Sequence, residues 1–417
     1  MRIPKSALQL SIFALVIVLI VSLHNYTLPY LRLGAAKVGG FEETVLDSST
    51  PSPSQGDSNL EKPFEADQFG LEGQRTRFQP GIPKVPGSDY SRVMVIPRTK
   101  DEDIGWIAEE LPGLEISVYV VDEPNAPLHP PKNKGHEVMV YLSYIIDHYD
   151  NLPDIIVFMH AHRWTYHNNE LLGADASQMI QRLSNEHVIR EGFVNMRCNW
   201  APGCPKWLFF NSTEELMSKQ EESYLAKSWS ELFPLEPFPP YLAQPCCAQF
   251  AVSSERIYSI PRSRFAFYRD WMIKTPLTDY VSGRIMEYSW QYIFTGKGAM
   301  CPAEHLCYCD AFGICFGGST QYEHFVQLED RKKEFESDLE KWKEADQLFR
   351  NSSADRTPDE ISNSTAPDQK QQEHLQEQIG MIEKEREVLK KRAMARGDDP
   401  RLRAEECGRT WTEGDGF

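Results

Sequence analysis

Between residues 92 and 162, apolar and polar positions alternate in blocks that read as strand, helix, strand, helix, strand. Residues 92–97 (RVMVIP) form a short apolar run closed by proline, the pattern of a buried strand. Over 101–111, Ile104, Ile107, Ala108 and Leu111 fall on one helical face, and Pro112-Gly113 stops the helix. Residues 114–123 (LEISVYVVDE) are rich in strand formers and end in two acids. Residues 134–149 set Val138, Leu142, Ile145 and Ile146 on one side of a helix, and 153–162 (PDIIVFMHAH) reads as another buried strand. This order predicts an α/β domain with a mostly parallel sheet covered by helices, whose ligands bind at the carboxyl ends of the strands. Those ends are Arg98, Asp122 with Glu123, and 160–163.

The second half is aromatic and irregular. Residues 248–253 (AQFAVS) read as a strand and 282–294 (SGRIMEYSWQYIF) as an amphipathic helix. After Tyr322 the composition turns charged. Phe325, Leu328, Phe335, Leu339 and Trp342, then Leu375, Ile379, Ile382 and Leu389, recur at heptad-like spacing. Each stretch is short, so coiled coil and a helical pair packed back on the domain both fit, with an exposed linker at 350–370.

At the other end, 8–23 is apolar except for Gln9, Ser11 and Ser22, and is preceded by Arg2 and Lys5. The run is short for a spanning helix. A small-residue cleavage pattern is not evident after it, which favours a signal anchor over a cleaved leader. The expected layout is a cytoplasmic 1–7, a transmembrane anchor at 8–23 and a disordered Ser/Pro/Asp-rich stem at 24–91. A globular lumenal domain at 92–318 and a charged helical tail at 319–417 complete it. That makes a single-pass type II protein of the Golgi or endoplasmic reticulum.

Composition sharpens this address. Of nine cysteines, eight lie between Cys198 and Cys315, with spacings C-x5-C, C-C and C-x5-C-x-C-x5-C. None is the C-x2-C of a zinc ribbon, so disulfides of an oxidising lumen are favoured over structural zinc. Pairing is not deducible from spacing; Cys198 with Cys204, and bridges within 301–315, are the near-neighbour expectation. Sequons at Asn25, Asn211, Asn351 and Asn363 agree with a lumenal chain. A formal net charge of −17 argues against a nucleic-acid partner.

Candidate chemistry concentrates at the strand ends. His160 and His162 would share one face if their strand persists, and His167 follows; three imidazoles suit zinc or manganese. The alternative is a polar turn held by backbone hydrogen bonds. Asp122 could accept from a ribose or simply cap the turn that follows it. Lys134 and Glu137 open a helix whose amino terminus favours phosphate, or form an ordinary first turn in which Glu137 complements the dipole; Arg98, after the first strand, could also meet a phosphate or be solvated. Glu287 sits among Tyr288, Trp290 and Tyr292, surroundings that raise a carboxyl pKa and suit a general base, the alternative being a surface acid on an amphipathic segment. Trp164, Trp200 and Trp271 could build an acceptor platform or be core. Gly-rich phosphate loops, the G-x-S-x-G elbow and H-E-x-x-H are missing from the sequence.

Residues 134–168, 246–257 (CCAQFAVSSERI) and 283–294 (GRIMEYSWQYIF) together resemble a family of uncharacterised fungal proteins catalogued as domain of unknown function thirty-four thirty-one. The resemblance spans about residues 92–318 and implies no activity. More distantly, the layout is similar to GT-A glycosyltransferases. That likeness implies a GT-A-like, Rossmann-type sheet, a nucleotide-sugar co-substrate and a glycan or glycoprotein acceptor. It also implies Asp122 against the nucleoside and Glu287 as base. Where those enzymes carry Asp-x-Asp, this chain has His160-x-His162, a set suited to manganese or zinc rather than magnesium. The leading expectation is therefore a membrane-anchored, lumenal glycosyltransferase-like enzyme. The alternatives are a zinc hydrolase, with Glu287 or Asp175 activating water beside the histidines, and a non-catalytic scaffold whose tail is the interaction surface.

Overall fold

The computed structural model describes residues 78–212, 219–353 and 366–417. The apolar run at 8–23, most of the stem, and the sequons at Asn25 and Asn363 lie outside them. Among the described residues no helix is long and apolar enough to cross a membrane.

The strands are β1 (Arg92–Arg98), β2 (Glu115–Val120), β3 (Ile155–Phe158), β4 (Phe193–Asn195) and β5 (Phe250–Ser253). They form one sheet in the order β2-β1-β3-β5-β4. β2, β1 and β3 are parallel neighbours, whereas β5 runs antiparallel to both β3 and β4. Four strands thus share a direction and β5 opposes them, which makes the α/β sheet mixed.

Alternation along the strands feeds two cores. Val93, Val95, Ile156, Phe158, Phe250 and Val252 face one layer; Met94, Ile96, Ile155, Val157 and Ala251 face the other. The helices, in chain order, are α1 (Gly105–Glu110), α2 (Val138–Asp147), α3 (Ala176–Arg182), α4 (Asn185–Glu191) and α5 (Glu222–Leu232). After β5 come α6 (Ser254–Tyr258), α7 (Arg262–Lys274), α8 (Asp279–Glu287), α9 (Trp290–Thr295) and α10 (Glu304–Phe312). The tail holds α11 (Ser319–Ser353), α12 (Gln369–Gly397) and α13 (Pro400–Glu406). α2, α5, α7, α8 and α9 cover the first face; α1, α3, α4 and α10 cover the second.

Several elements depart from the sequence expectation for local reasons. The helix expected over 134–149 begins only at Val138, because Gly135 and His136 take positive φ (74° and 53°) and the Gly135 N–H donates to Asp279 Oδ1. The strand expected over 153–162 ends at Phe158, where the His160 N–H turns to the side-chain oxygen of Gln249. His160 and His162 are therefore loop residues. The single helix expected over 282–294 is two, broken at Tyr288–Ser289.

Four disulfides close the second half: Cys198–Cys307, Cys204–Cys301, Cys309–Cys315 and the adjacent pair Cys246–Cys247. The near-neighbour pairing Cys198–Cys204 is wrong, since each of these cysteines reaches about 100 residues along the chain instead. Of the bridges expected within 301–315, Cys309–Cys315 forms.

α11 and α12 lie antiparallel. Glu329 meets Arg386, Lys332 meets Glu383, and the Trp342 indole donates to the Asp368 carbonyl. Phe325, Leu328, Trp342, Leu375 and Ile382 are buried along the helical pair. α12 returns to the domain at Gly397, where a Cβ would lie 2.0 Å from the Gly313 carbonyl oxygen. Asp310 of α10 fixes the end of the chain, accepting from His187, Arg190 and Arg409.

Candidate functional site at the carboxyl edge of the sheet

Because β5 alone is reversed, its amino end meets the carboxyl ends of the other four strands on one edge. Asp122 follows β2, Arg98–Glu102 follow β1, His160–His167 follow β3, Asn195–Arg197 end β4, and Cys246–Gln249 lead into β5. From β2 to β5 is three strand spacings, about 14 Å at about 4.8 Å each. Hydrogen bonds stitch these loops together. Asp122 Oδ1 accepts from the Lys100 N–H (2.8 Å), and His162 Nε2 stands 3.5 Å from Glu102 Oε1. Gln249 receives the His160 N–H and donates to Asn168 Oδ1 (3.0 Å).

At the centre of the edge His160 and His167 meet through their Nδ1 atoms at 2.9 Å, so one ring donates and the other accepts. Burial disfavours the charged form of both. With the neighbouring histidines, it pulls His160 down to about 3. With Arg197, it pulls His167 down to about 4. Both rings are neutral at neutral pH. His160 Nε2 is buried without a hydrogen-bond partner and lies 3.9 Å from Glu137 Oε2. Glu137 sits at the amino end of α2, mostly covered. Burial and the nearby Glu287 charge push its carboxyl up to about 8.

Glu287 ends α8 and is buried. Its Oε1 accepts from the Cys247 N–H at 2.6 Å, and Arg284 Nη1 lies 3.6 Å from its Oε2. Arg284 also binds the fully buried Glu221 through Nε and Nη2 at 3.1 and 3.0 Å. Burial raises the Glu287 pKa against the opposing effect of Arg284. The carboxylate offered by the sequence as a base is thus committed to holding the Cys246–Cys247 turn, where Cys247 and Ala248 take positive φ.

The other expected residues are distributed as follows. His162 reaches the edge but is exposed and pairs with Glu102. Lys134 is buried and donates to the Thr275 carbonyl; burial and Lys132 lower its pKa. Arg98 folds onto the carbonyls of Glu102 (3.0 Å) and Lys100 (3.4 Å). Asp175 caps α3 and pairs with Arg163. Trp271 is core, and Trp200 donates to the Pro302 carbonyl. Sequence reasoning missed Gln249, Asn168, Arg284 and Glu221. Only the Arg284/Glu287 spacing, i and i+3 on one helix face, offered a signal.

His160, His162 and His167 do not form a compact ligand set. Among the described residues the one group of three ligand atoms within 4.8 Å is Cys309, Cys315 and Glu406, whose two sulfurs are already bonded to each other. Two imidazoles come together without a third donor, and no paired carboxylates follow β3, so these residues do not fit a diphosphate-binding metal centre. Two surface hollows lie elsewhere. One of about 260 Å3 lies between Glu170 and α12, and one of about 470 Å3 lies at the amino ends of β1 and β2.

Comparison with curated proteins and with solved structures found no match. A protein-family comparison did find one, over residues 94–310, which contain the sheet except the first two residues of β1, and every residue of the edge described above. The chain belongs to the family described as "Protein of unknown function (DUF3431)".

Proposed function

We propose that this chain is a glycosyltransferase-like enzyme that moves a sugar from a nucleotide-sugar donor to a glycan or glycoprotein acceptor. We place it in the secretory lumen, on the signal anchor expected at 8–23. The observation that carries the reading is the convergence of Asp122, His160, His167, Glu137 and Glu287 along one edge of the sheet. A sheet of codirectional strands with one reversed member, β5, supports the GT-A-like expectation. The disulfides support the lumenal address.

In this reading Asp122 meets the nucleoside at the β2 end. Lys134 is engaged by Thr275, so the leaving diphosphate faces the backbone N–H groups of the β1 loop and the amino-terminal turn of α2. The acceptor hydroxyl attacks the anomeric carbon as the bond to the diphosphate breaks. Its proton passes to Glu137, a carboxylate whose pKa of about 8 lies close to the working pH. His160, with its unpartnered Nε2 3.9 Å from Glu137 Oε2, and His167 line the base, and Glu287 is a positioning residue for the Cys246–Cys247 turn. No step passes through a metal.

The test is thermal unfolding of the purified chain against a panel of nucleotide sugars, with and without manganese. A donor at about 100 times its dissociation constant adds about 2.7 kcal/mol of stability. A shift confined to one nucleoside series and lost in Asp122→Ala supports the reading. No shift with any donor, together with destabilisation by a chelator alone, favours the zinc hydrolase instead.

A further inference from the structure

Trp164 is the one exposed tryptophan of the nine in the chain, with 65 % of its surface open, and Tyr166 beside it is 72 % open. Exposed aromatics are ordinary when scattered. These two sit on the loop that carries His160 and His167. That loop is rigid. Asn168 is fully buried and donates to the carbonyls of Arg163 and Ala174, both at 2.9 Å. Arg197 holds the Tyr166 and Asn168 carbonyls, and Trp164 bridges to Asp175 through the backbone.

The rings themselves are also fixed. The Arg163 guanidinium lies 4.3 Å from the Trp164 ring centre and is clamped between Glu110 (2.7 Å) and Asp175 (3.0 Å). One face of the indole is therefore covered and the other faces solvent. The Tyr166 ring meets His167 edge-on, with centres 4.1 Å apart. Holding two aromatic surfaces open to water has a cost that a loop with no ligand would not need. His162, two residues before Trp164 on the same loop, pairs with Glu102 and brings polar atoms to this segment. A flat apolar surface with a rim of donors and acceptors complements a pyranose ring, which is apolar on its C–H face and polar around its hydroxyl edge.

We propose that Trp164 and Tyr166 form a carbohydrate subsite that stacks the acceptor glycan beside the His160–His167 pair. The word acceptor rests on the function proposed above; the stacking itself is tested without any donor. The experiment is saturation-transfer NMR on the full purified chain with neutral hexasaccharides of glucose and of mannose. Saturation should reach sugar C–H protons of one face in at least one of them. Trp164→Ala and Tyr166→Ala should each weaken that binding about tenfold, the loss expected for an aromatic anchor, and Trp164→Phe should keep most of it. Nucleotide-sugar thermal shifts should be unchanged in these variants. Saccharide binding that persists while every nucleotide sugar fails supports the subsite and sinks only the transferase reading. Saturation transfer to the saccharides that is missing in the wild type, or equal in Trp164→Ala, overturns the subsite. Binding to neutral phospholipid vesicles that needs Trp164, without saccharide binding, overturns it in favour of a lipid surface.

Discussion

Replacing Arg284 by methionine tests how the candidate edge is supported. The guanidinium makes two hydrogen bonds to Glu221, which is fully buried, and stands 3.6 Å from Glu287, itself buried. Arg284→Met keeps most of the volume and removes the one cation within ion-pair distance of either carboxylate among the described residues. Breaking a buried pair by deleting one partner costs about 3–5 kcal/mol, because the remaining charge must be neutralised or left unpaired. Two carboxylates share this cation, so the upper part of that range applies. Total stability is typically about 5–15 kcal/mol. The variant should therefore unfold at a urea midpoint lower by more than about 1 M, given slopes of about 1–3 kcal/mol per molar.

The loss should also grow with pH. Burial already raises the folded pKa of Glu287 above its ordinary value, so its protonated form is the one the fold prefers. Stability from such a group is present below the ordinary carboxylate range and is lost as pH rises through the folded pKa. Without Arg284 that folded pKa rises further. Urea midpoints at pH 5 and pH 8 should therefore diverge more in the variant than in the wild type. Adding Glu221→Gln should return part of the stability, since the two positions are coupled. An unchanged midpoint, or an equal loss at both pH values, would refute the reasoning.

Two further outcomes follow from buried groups. Burial alone would raise the Asp310 pKa, but the hydrogen bond from His187 and the charges of Arg190 and Arg409 hold it well below the usual carboxylate range. A depressed carboxyl contributes stability above its unfolded pKa and loses it as pH falls. Asp310→Asn should therefore cost about 3–5 kcal/mol near neutrality and progressively less in acid, as read by urea midpoints from pH 7 down to pH 3. Cys407 is the one free cysteine, and burial pushes its thiol up to about 12. Thiol titration without reductant should find one reactive group per chain, alkylated only after unfolding. Peptide mapping should recover Cys198–Cys307 and Cys204–Cys301 rather than Cys198–Cys204.

The strands β1, β3 and β5 were legible because each is an apolar run bounded by turn residues, and burial on both faces makes such runs continuous, whereas the edge strand β2, partly exposed, was legible through its β-branched and aromatic residues. β4 was not: Phe193–Asn195 is three residues long and carries no periodicity of its own, its place being set by pairing with β5. The reversed direction of β5 is likewise a long-range property that periodicity does not contain. At the site, His160 and His167 were visible as a cluster of imidazoles, but their grouping without His162 depends on the strand ending at Phe158. That ending depends on Gln249, nearly ninety residues away. Glu137 looked like a helix-terminal acid that complements the dipole. Its role as the central carboxyl comes from Glu287 and His160 arriving from other elements. Glu287 was found by its aromatic surroundings, yet those surroundings bury it and hand its oxygens to Cys247 and Arg284.

The most direct test of the central claim is release of nucleoside diphosphate from a panel of nucleotide sugars, measured for the wild-type chain and for Glu137→Gln. The account predicts turnover with one nucleoside series, stimulated by a saccharide acceptor, and a loss of about 100-fold or more in Glu137→Gln, the contribution typical of a general base. Equal rates in wild type and Glu137→Gln, or no diphosphate released from any donor in the presence of acceptor, would contradict it.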